Sequence, residues 1–254
     1  MRRIVAWLTS LLFPPICRHC GKRQSIFAPR LPQPLCHDCL DTWAQRMQKG
    51  CPECGQTYPR CPCMPQALQE AGCADFVKLV DYRAGKRGVV ESMLLRCKDV
   101  RDGALLDFLA ADLTLPTFRA LQSLGAYEGQ TVVTFVPRRK SAVRRIGHDQ
   151  AKELSRALAA RLSLPHKRLI CRKGNAAEQK ELSADQRAKS AQRSFAMRKG
   201  ADVNGKTIVL LDDICTTGAS MASCTKQLYT GGATRVIAVC VAWSPPKGKR
   251  SESV

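Results

Sequence analysis

Asp212 and Asp213 stand side by side at the end of an apolar run, Ile208-Val209-Leu210-Leu211, and Thr216-Thr217-Gly218-Ala219-Ser220 follow. Two neighbouring carboxylates repel one another and are costly to desolvate. A strand that ends in them presents them to something. In an open α/β sheet, ligands bind beyond the carboxyl ends of the strands, and the apolar run delivers both aspartates there. Backbone N–H groups at a helix start, with hydroxyl donors beside them, cradle a phosphate monoester. Gly218 lets the backbone come close. Adjacent carboxylates accept hydrogen bonds from a vicinal diol. A ribose bearing a 5-phosphate offers both features one sugar apart. A buried strand followed by a capped helix accounts for the turn but not for two consecutive acids.

The second constellation lies near the other end. Eight of the fourteen cysteines fall in four close pairs, Cys17 with Cys20, Cys36 with Cys39, Cys51 with Cys54, and Cys61 with Cys63. A Cys-x-x-Cys turn offers two thiolates at the bite of a tetrahedral Zn²⁺, so eight cysteines make two structural Zn²⁺ sites with every position filled by protein. Sequential pairing, 17/20 with 36/39 and 51/54 with 61/63, needs the smallest loops and is the expectation; interleaved pairing stays open. His19 and His37 sit within pairs and read as bystanders. Cys73, Cys97, Cys171, Cys215, Cys224 and Cys240 read as packing residues. Such a pattern suits a metal site in a reducing compartment better than a disulfide framework, so a cytoplasmic location is expected.

The elements that must position these groups follow from the texture of the chain. Its 254 residues allow one ordinary domain plus a smaller unit. Residues 17–66, rich in Cys, Pro and Gly, cannot build a core and need a staple; they read as a double zinc ribbon. From residue 71 to 243 strands alternate with amphipathic helices. Strands are expected at 76–82, 131–137, 167–173, 206–213 and 235–243, and helices at 88–99, 103–113, 150–162 and 218–233. This is the pattern of a doubly wound parallel sheet. Residues 174–194 are polar with weak helical signals, and 244–254 read as a frayed tail. At the start, Ile4, Trp7, Leu8, Leu11 and Leu12 recur at helical spacing, so residues 1–16 are expected to hold a short amphipathic helix packed on the body, with a membrane-surface anchor as the alternative. The apolar stretch is about half the ~20 residues a spanning helix needs, and no transmembrane segment is expected.

Lys and Arg number 41 against 21 Asp and Glu, a formal charge of +20, and residues 131–200 carry eighteen of the cations against five acids. Such a field attracts polyanions. With only Phe135 and Phe195 as aromatics in that stretch, it suits phosphate affinity better than base stacking.

"IVLLDDICTTGAS" resembles the thirteen-residue phosphoribosyl pyrophosphate (PRPP) motif of type I phosphoribosyltransferases, departing only at Cys215. With the cysteine-rich amino terminus, residues 14 to 243 resemble the ComF family of competence-associated, phosphoribosyltransferase-like proteins. "FVPRRKSAVRRIGHDQA" is similar to the family's pyrophosphate loop, with Gly147, Asp149 and Gln150 in register. The resemblance implies that Arg138, Arg139, Lys140, Arg144 and Arg145 neutralise phosphates there. "CRKGNAAEQKELSADQRAKSAQRSF" is similar to the family's mobile hood, matching at Arg172, Lys173, Gln179, Leu182, Ser183, Arg187 and Phe195. Departures are Ile146 for the motif arginine, His148 for an aromatic, and Ser190 for an asparagine. Lys98 matches a family lysine, and an ordinary surface lysine explains it nearly as well.

The resemblance implies a type I phosphoribosyltransferase fold, PRPP or a nucleotide as ligand, and Mg²⁺ accompanying PRPP. It further implies cytoplasmic handling of internalised single-stranded DNA, with other competence or DNA-processing proteins as partners. The competing enzyme reading is Mg²⁺-dependent transfer of ribose 5-phosphate to an acceptor the sequence does not identify, with Asp212 and Asp213 as the catalytic pair. A phosphate-dependent regulatory sensor is the third.

Overall fold

The computed structural model describes residues 14–24, 33–83, 85–126, 130–173 and 194–244. The helix expected at 1–16 (save its last three residues), most of the polar 174–194 stretch and the tail after Ser244 lie outside the described residues. Among those described, six strands form: β1 (Asp75–Asp81), β2 (Thr131–Phe135), β3 (Ile170–Arg172), β4 (Phe195–Met197), β5 (Thr207–Cys215) and β6 (Arg235–Trp243). The helices are α1 (His37–Gln48), α2 (Gln66–Glu70), α3 (Val89–Asp99), α4 (Gly103–Ser123), α5 (Lys140–Ile146), α6 (Gln150–Arg161) and α7 (Ala219–Thr230).

The centre is a parallel sheet in the order β1-β6-β5-β2. Its strands are apolar on both sides because helices cover both faces. Val77, Val133, Val209, Leu211, Ile237 and Val239 face one core, shared with α3, α4 and α6. Phe76, Val132, Ile208, Leu210, Val236 and Ala238 face the other, shared with α7 and Leu68 of α2. The doubly wound sheet expected from the strand–helix alternation is thus the observed architecture.

Two local expectations change. The helix after Gly103 runs past Pro116 to Ser123, because its buried stripe continues through Leu113, Thr117, Ala120 and Leu121 and tertiary packing outweighs the proline. The strand expected at 167–173 shortens to β3 and leaves the main sheet to pair antiparallel with β4. Just before it, His166 bridges in parallel to Val133, adding one step beyond β2.

The cysteine-rich segment straddles the β1 edge. Its first half sends Trp43 of α1 into the α3–α4 side, where Trp43 Nε1 donates to Asp112 at 2.7 Å. Its second half puts Cys51, Tyr58 and Cys61 into the α7-side core. At the strand's end, buried Asp81 accepts from Arg46 at 3.0 Å, Lys49 at 2.9 Å and Arg83 at 2.9 Å. Burial opposes the charge of Asp81, but these three cations outweigh it and hold the carboxyl below its ordinary range. An edge strand left bare is a template for unwanted pairing; here the cysteine-rich segment packs beside it.

Candidate phosphoribosyl site and cysteine clusters

β5 pairs with β6 as far as Cys215 opposite Trp243, but with β2 only as far as Leu211 opposite Phe135. Asp212 and Asp213 are therefore the first residues of β5 beyond the end of β2. The strand does not stop at the two acids, as the sequence suggests, because β6 keeps pairing through Ile214 and Cys215. Strand alternation sends the two side chains off toward different faces of the sheet, while their carboxyl groups stay within reach of one another. Asp213 shares the side of Leu211, toward α6, and Asp212 the side of Leu210, toward α7.

Asp213 accepts a hydrogen bond from Nε2 of Gln150, the first residue of α6, and its Oδ2 lies 3.8 Å from Lys98 Nζ in α3. Lys98, half-buried, thus stands beside the second of the two acids. Asp212 Oδ1 accepts from the Asp213 backbone N–H at 2.9 Å. Burial, and next the charge of Asp213, push the Asp212 carboxyl well above the usual carboxylate range. A pair held in this state gains from any cation or polyol that arrives.

The turn after β5 has Thr216 and Thr217 exposed and Gly218 at φ +78° before α7. That backbone conformation favours glycine. The close approach is equally demanding, since a Cβ at Gly218 would meet Cβ of Pro65 at 2.8 Å. The Ala219 N–H points to Thr217 Oγ1 at 3.4 Å, and Ala219 and Ser220 form the first turn of the twelve-residue α7. The helix start and the aspartates thus share the carboxyl end of β5.

The basic segment after β2 is not a loop throughout: Lys140–Ile146 is a short helix ended by Gly147 at φ +87°. Arg138, Lys140 and Arg144 line a cavity of about 480 Å³ together with Arg101, Lys152 and Arg168. Asp149 and Glu153 are the acids on its wall, and neither Asp212, Asp213 nor residues 216–220 line it. Asp149 caps α6 by accepting from the backbone N–H groups of Lys152 at 3.4 Å and Arg138 at 3.2 Å. Arg138 Nη1 is buried with no hydrogen-bond partner among the described residues. Arg139 and Arg145 do not line the cavity. Three of the five expected phosphate-neutralising residues therefore converge, and Arg101, Lys152 and Arg168 join them. No motif marks these three, because they come from separate elements.

Arg172, in β3, has its guanidinium carbon 4.9 Å over the ring of Phe195. Burial and then the charge of Arg139 lower its pKa, while Cys224 and Asp212 work the other way; Arg139 and Arg172 therefore belong to the Asp212 side. Lys173 is exposed and closes the β3–β4 base through its N–H to Ser194 O at 2.8 Å. Gln179 and Arg187, with Leu182, Ser183 and Ser190, lie outside the described residues. His148 is buried, and its Nε2 donates to the Cys97 carbonyl at 2.8 Å, which ties the basic segment to α3. Ile146, where the family motif has arginine, is the half-buried last residue of α5.

The eight paired cysteines gather as expected, Cys17, Cys20, Cys36 and Cys39 in one group and Cys51, Cys54, Cys61 and Cys63 in the other. Within each group the four sulfurs lie within 4.8 Å of one another. Cys20 and Cys36 Sγ are 3.6 Å apart, and Cys54 and Cys61 Sγ 3.5 Å. Four thiolates about 2.3 Å from a central Zn²⁺ stand at roughly such separations, so both clusters fit the ion. His37 pairs with Asp41 at 3.0 Å, and neither histidine belongs to a cluster. Of the other six cysteines, all but half-buried Cys171 are buried.

Comparison with known proteins bears on the sheet half of the chain. Residues 142–253 match the protein family described as "Phosphoribosyl transferase domain". A curated relative, "Ribose-phosphate pyrophosphokinase" of Marinomonas sp. (strain MWYL1), is 41% identical over 56 residues, which are 22% of this chain and 18% of the relative. The chain thus spans under a fifth of that protein's length. Among solved structures, a glutamine PRPP amidotransferase from B. subtilis complexed with ADP and GMP is similar with a TM-score of 0.33 and 15% identity, over 61% of this chain and 28% of that one. A hypoxanthine phosphoribosyltransferase from Staphylococcus aureus has a TM-score of 0.34 and 14% identity, over 59% of this chain and 72% of that one. Likenesses at such scores say nothing about activity. The family match over residues 142–253 and the parallel sheet between helices agree on a phosphoribosyltransferase-like α/β fold for that part of the chain.

Proposed function

We propose that this chain binds the 5-phosphoribosyl group of PRPP or of a nucleotide, and that it does so as a ComF-like protein handling internalised single-stranded DNA in the cytoplasm. The observation that carries the reading is the placement of Asp212 and Asp213 just past the end of β2, with the Gly218 turn opening α7 at the same end of β5. In this reading the ribose hydroxyls donate to the two carboxylates, and the 5-phosphate takes the hydroxyls and N–H groups of residues 216–220. Arg139 and Arg172 flank the Asp212 side, and Arg138, Lys140 and Arg144 supply positive charge next to it. The paired carboxylates are oxygen donors of the kind Mg²⁺ takes alongside phosphates. Held by Asp212 and Asp213, Mg²⁺ would supply positive charge to neutralise the ligand's phosphates. Lys98 and Gln150 orient Asp213 for its share of those hydrogen bonds.

The second reading is an active transferase, favoured by the two acids standing together beyond the end of β2. In it the bond from ribose C1 to pyrophosphate breaks with its electron pair leaving on pyrophosphate. The acceptor then donates a pair to C1, and the aspartates stabilise the cationic sugar between the two events.

The test is pyrophosphate release from Mg²⁺-PRPP across nucleobases, amines and single-stranded DNA as acceptors. The binding reading predicts saturable ligand binding with no release above a Thr216→Val/Thr217→Val control. Acceptor-dependent release would make the chain a transferase, and the absence of both binding and release would contradict both readings.

A further inference from the structure

Lys78 lies in the middle of β1 and is wholly buried. Taking an ammonium out of water is unfavourable unless an anion accompanies it. Among the described residues no carboxylate pairs with it. Its Nζ instead donates to the Cys61 carbonyl at 2.5 Å and to the Cys63 carbonyl, and stands 4.9 Å from the Phe76 ring centre and 5.3 Å from that of Trp243. Cys61 and Cys63 belong to the second four-cysteine cluster. Four thiolates around a divalent metal carry a net charge of −2, and an ammonium bonded to the backbone of two of them is the counter-charge that cluster lacks.

We propose that Lys78 is the built-in counter-ion of a metal at Cys51, Cys54, Cys61 and Cys63, and that this metal holds the support on which the 216–218 turn is packed. The path is short. Two residues after Cys63, Pro65 fills the space against Gly218, 2.8 Å from where a Cβ would stand. Leu68 of α2 follows at 3.4 Å and is wholly buried in the α7-side core. The first cluster has different moorings: Arg18 pairs with Asp102 at 3.0 Å, and α1 packs into the opposite core. Loss of metal from the second cluster alone is therefore what loosens the turn. The consequence for ligand binding rests on the phosphoribosyl reading; the consequence for metal and backbone does not.

The experiment uses the full-length zinc-loaded protein. Chelator competition measures the affinity of each cluster in wild type, Lys78→Met and Lys78→Arg, with the first cluster reporting that the variant is folded. Amide exchange at Ala222–Thr225 and Mg²⁺-PRPP affinity are followed as zinc is withdrawn stepwise, beside Cys17→Ser/Cys20→Ser and Cys51→Ser/Cys54→Ser. We expect Lys78→Met to weaken the second cluster at least tenfold while sparing the first, with partial recovery in Lys78→Arg. Exchange at α7 should quicken at least tenfold on losing the second metal and not the first. PRPP affinity should fall at least fivefold with it. Unchanged metal affinity in Lys78→Met, or α7 exchange indifferent to the second metal, would overturn the proposal. Should Lys78→Met lose both metals, the stepwise withdrawal from wild type decides alone. Absence of PRPP binding by the fully loaded wild type would instead overturn the phosphoribosyl reading, with the metal and exchange results still standing.

Discussion

Asp212 is held at a disadvantage that only a ligand relieves. Its carboxyl is raised first by burial and then by Asp213, so the folded state resists its ionisation. Below the ordinary carboxylate pKa, about 4, both folded and unfolded chains are protonated and the group costs nothing. As pH rises from there toward the folded pKa, the unfolded chain ionises and the folded one does not, so stability is lost across that window and the loss is complete once the folded pKa is passed. Asp212→Asn removes the charge while its amide oxygen still accepts from the Asp213 N–H. We expect it to stabilise the ligand-free protein at neutral pH by roughly 0.5–2 kcal/mol and to gain nothing in acid, checked by urea unfolding at several pH values. Equal stability at all pH values would mean that the carboxylates do not oppose one another. The two acids were legible in the sequence because nothing structural explains them. Gln150 and Lys98 as partners of Asp213 were not, since each comes from a different helix and only the sheet brings them together. Lys78 was invisible for the same reason: its sequence neighbours make it look like one polar position in an apolar strand.

At the scale of elements, the strand–turn–helix unit from Thr207 to Thr230 carries the site, and Gly218 is its pivot. Gly218→Ala must place a side chain at φ +78° and against Pro65 at 2.8 Å. Gly205, at φ +68° with open space around its Cβ direction, isolates the backbone share of that cost. We expect Gly205→Ala to cost about 1 kcal/mol and Gly218→Ala about 1–3 kcal/mol, the larger loss going with weaker phosphate binding. Equal losses in denaturant titrations would mean that the Pro65 contact yields freely. The alternation of strands and helices gave away the sheet, because strands buried on both faces must be apolar throughout. It did not give away the β3–β4 hairpin or the continuation of α4 past Pro116. Pairing partners and packing that overrides a proline depend on distant residues, not on local pattern. The loop expected of the basic segment came from the family resemblance, whereas Lys140–Ile146 holds no helix breaker and forms a helix.

Over the whole molecule, the ribbon and the sheet share both cores across the β1 edge, while positive charge gathers beyond β2, where six cations meet two acids around one cavity. The cysteine spacing told which four sulfurs meet, since the shortest loops proved to be the ones used. It could not tell that the two clusters brace opposite faces of the sheet. If single-stranded DNA is the larger ligand, its binding follows the release of counterions. A labelled oligothymidine should lose at least tenfold in affinity between 50 and 200 mM salt. Arg101→Gln/Arg168→Gln should flatten that slope by about one unit, read by fluorescence anisotropy, whereas a slope indifferent to both arginines would move the DNA path elsewhere. Phosphoribosyl binding rests on the aspartates and the turn after them. Its most direct test is calorimetric titration of Mg²⁺-PRPP into the zinc-loaded protein beside Asp212→Asn/Asp213→Asn. Saturable binding by the wild type at one equivalent, lost in the variant, is the predicted result; no binding by either, or equal binding by both, would contradict it.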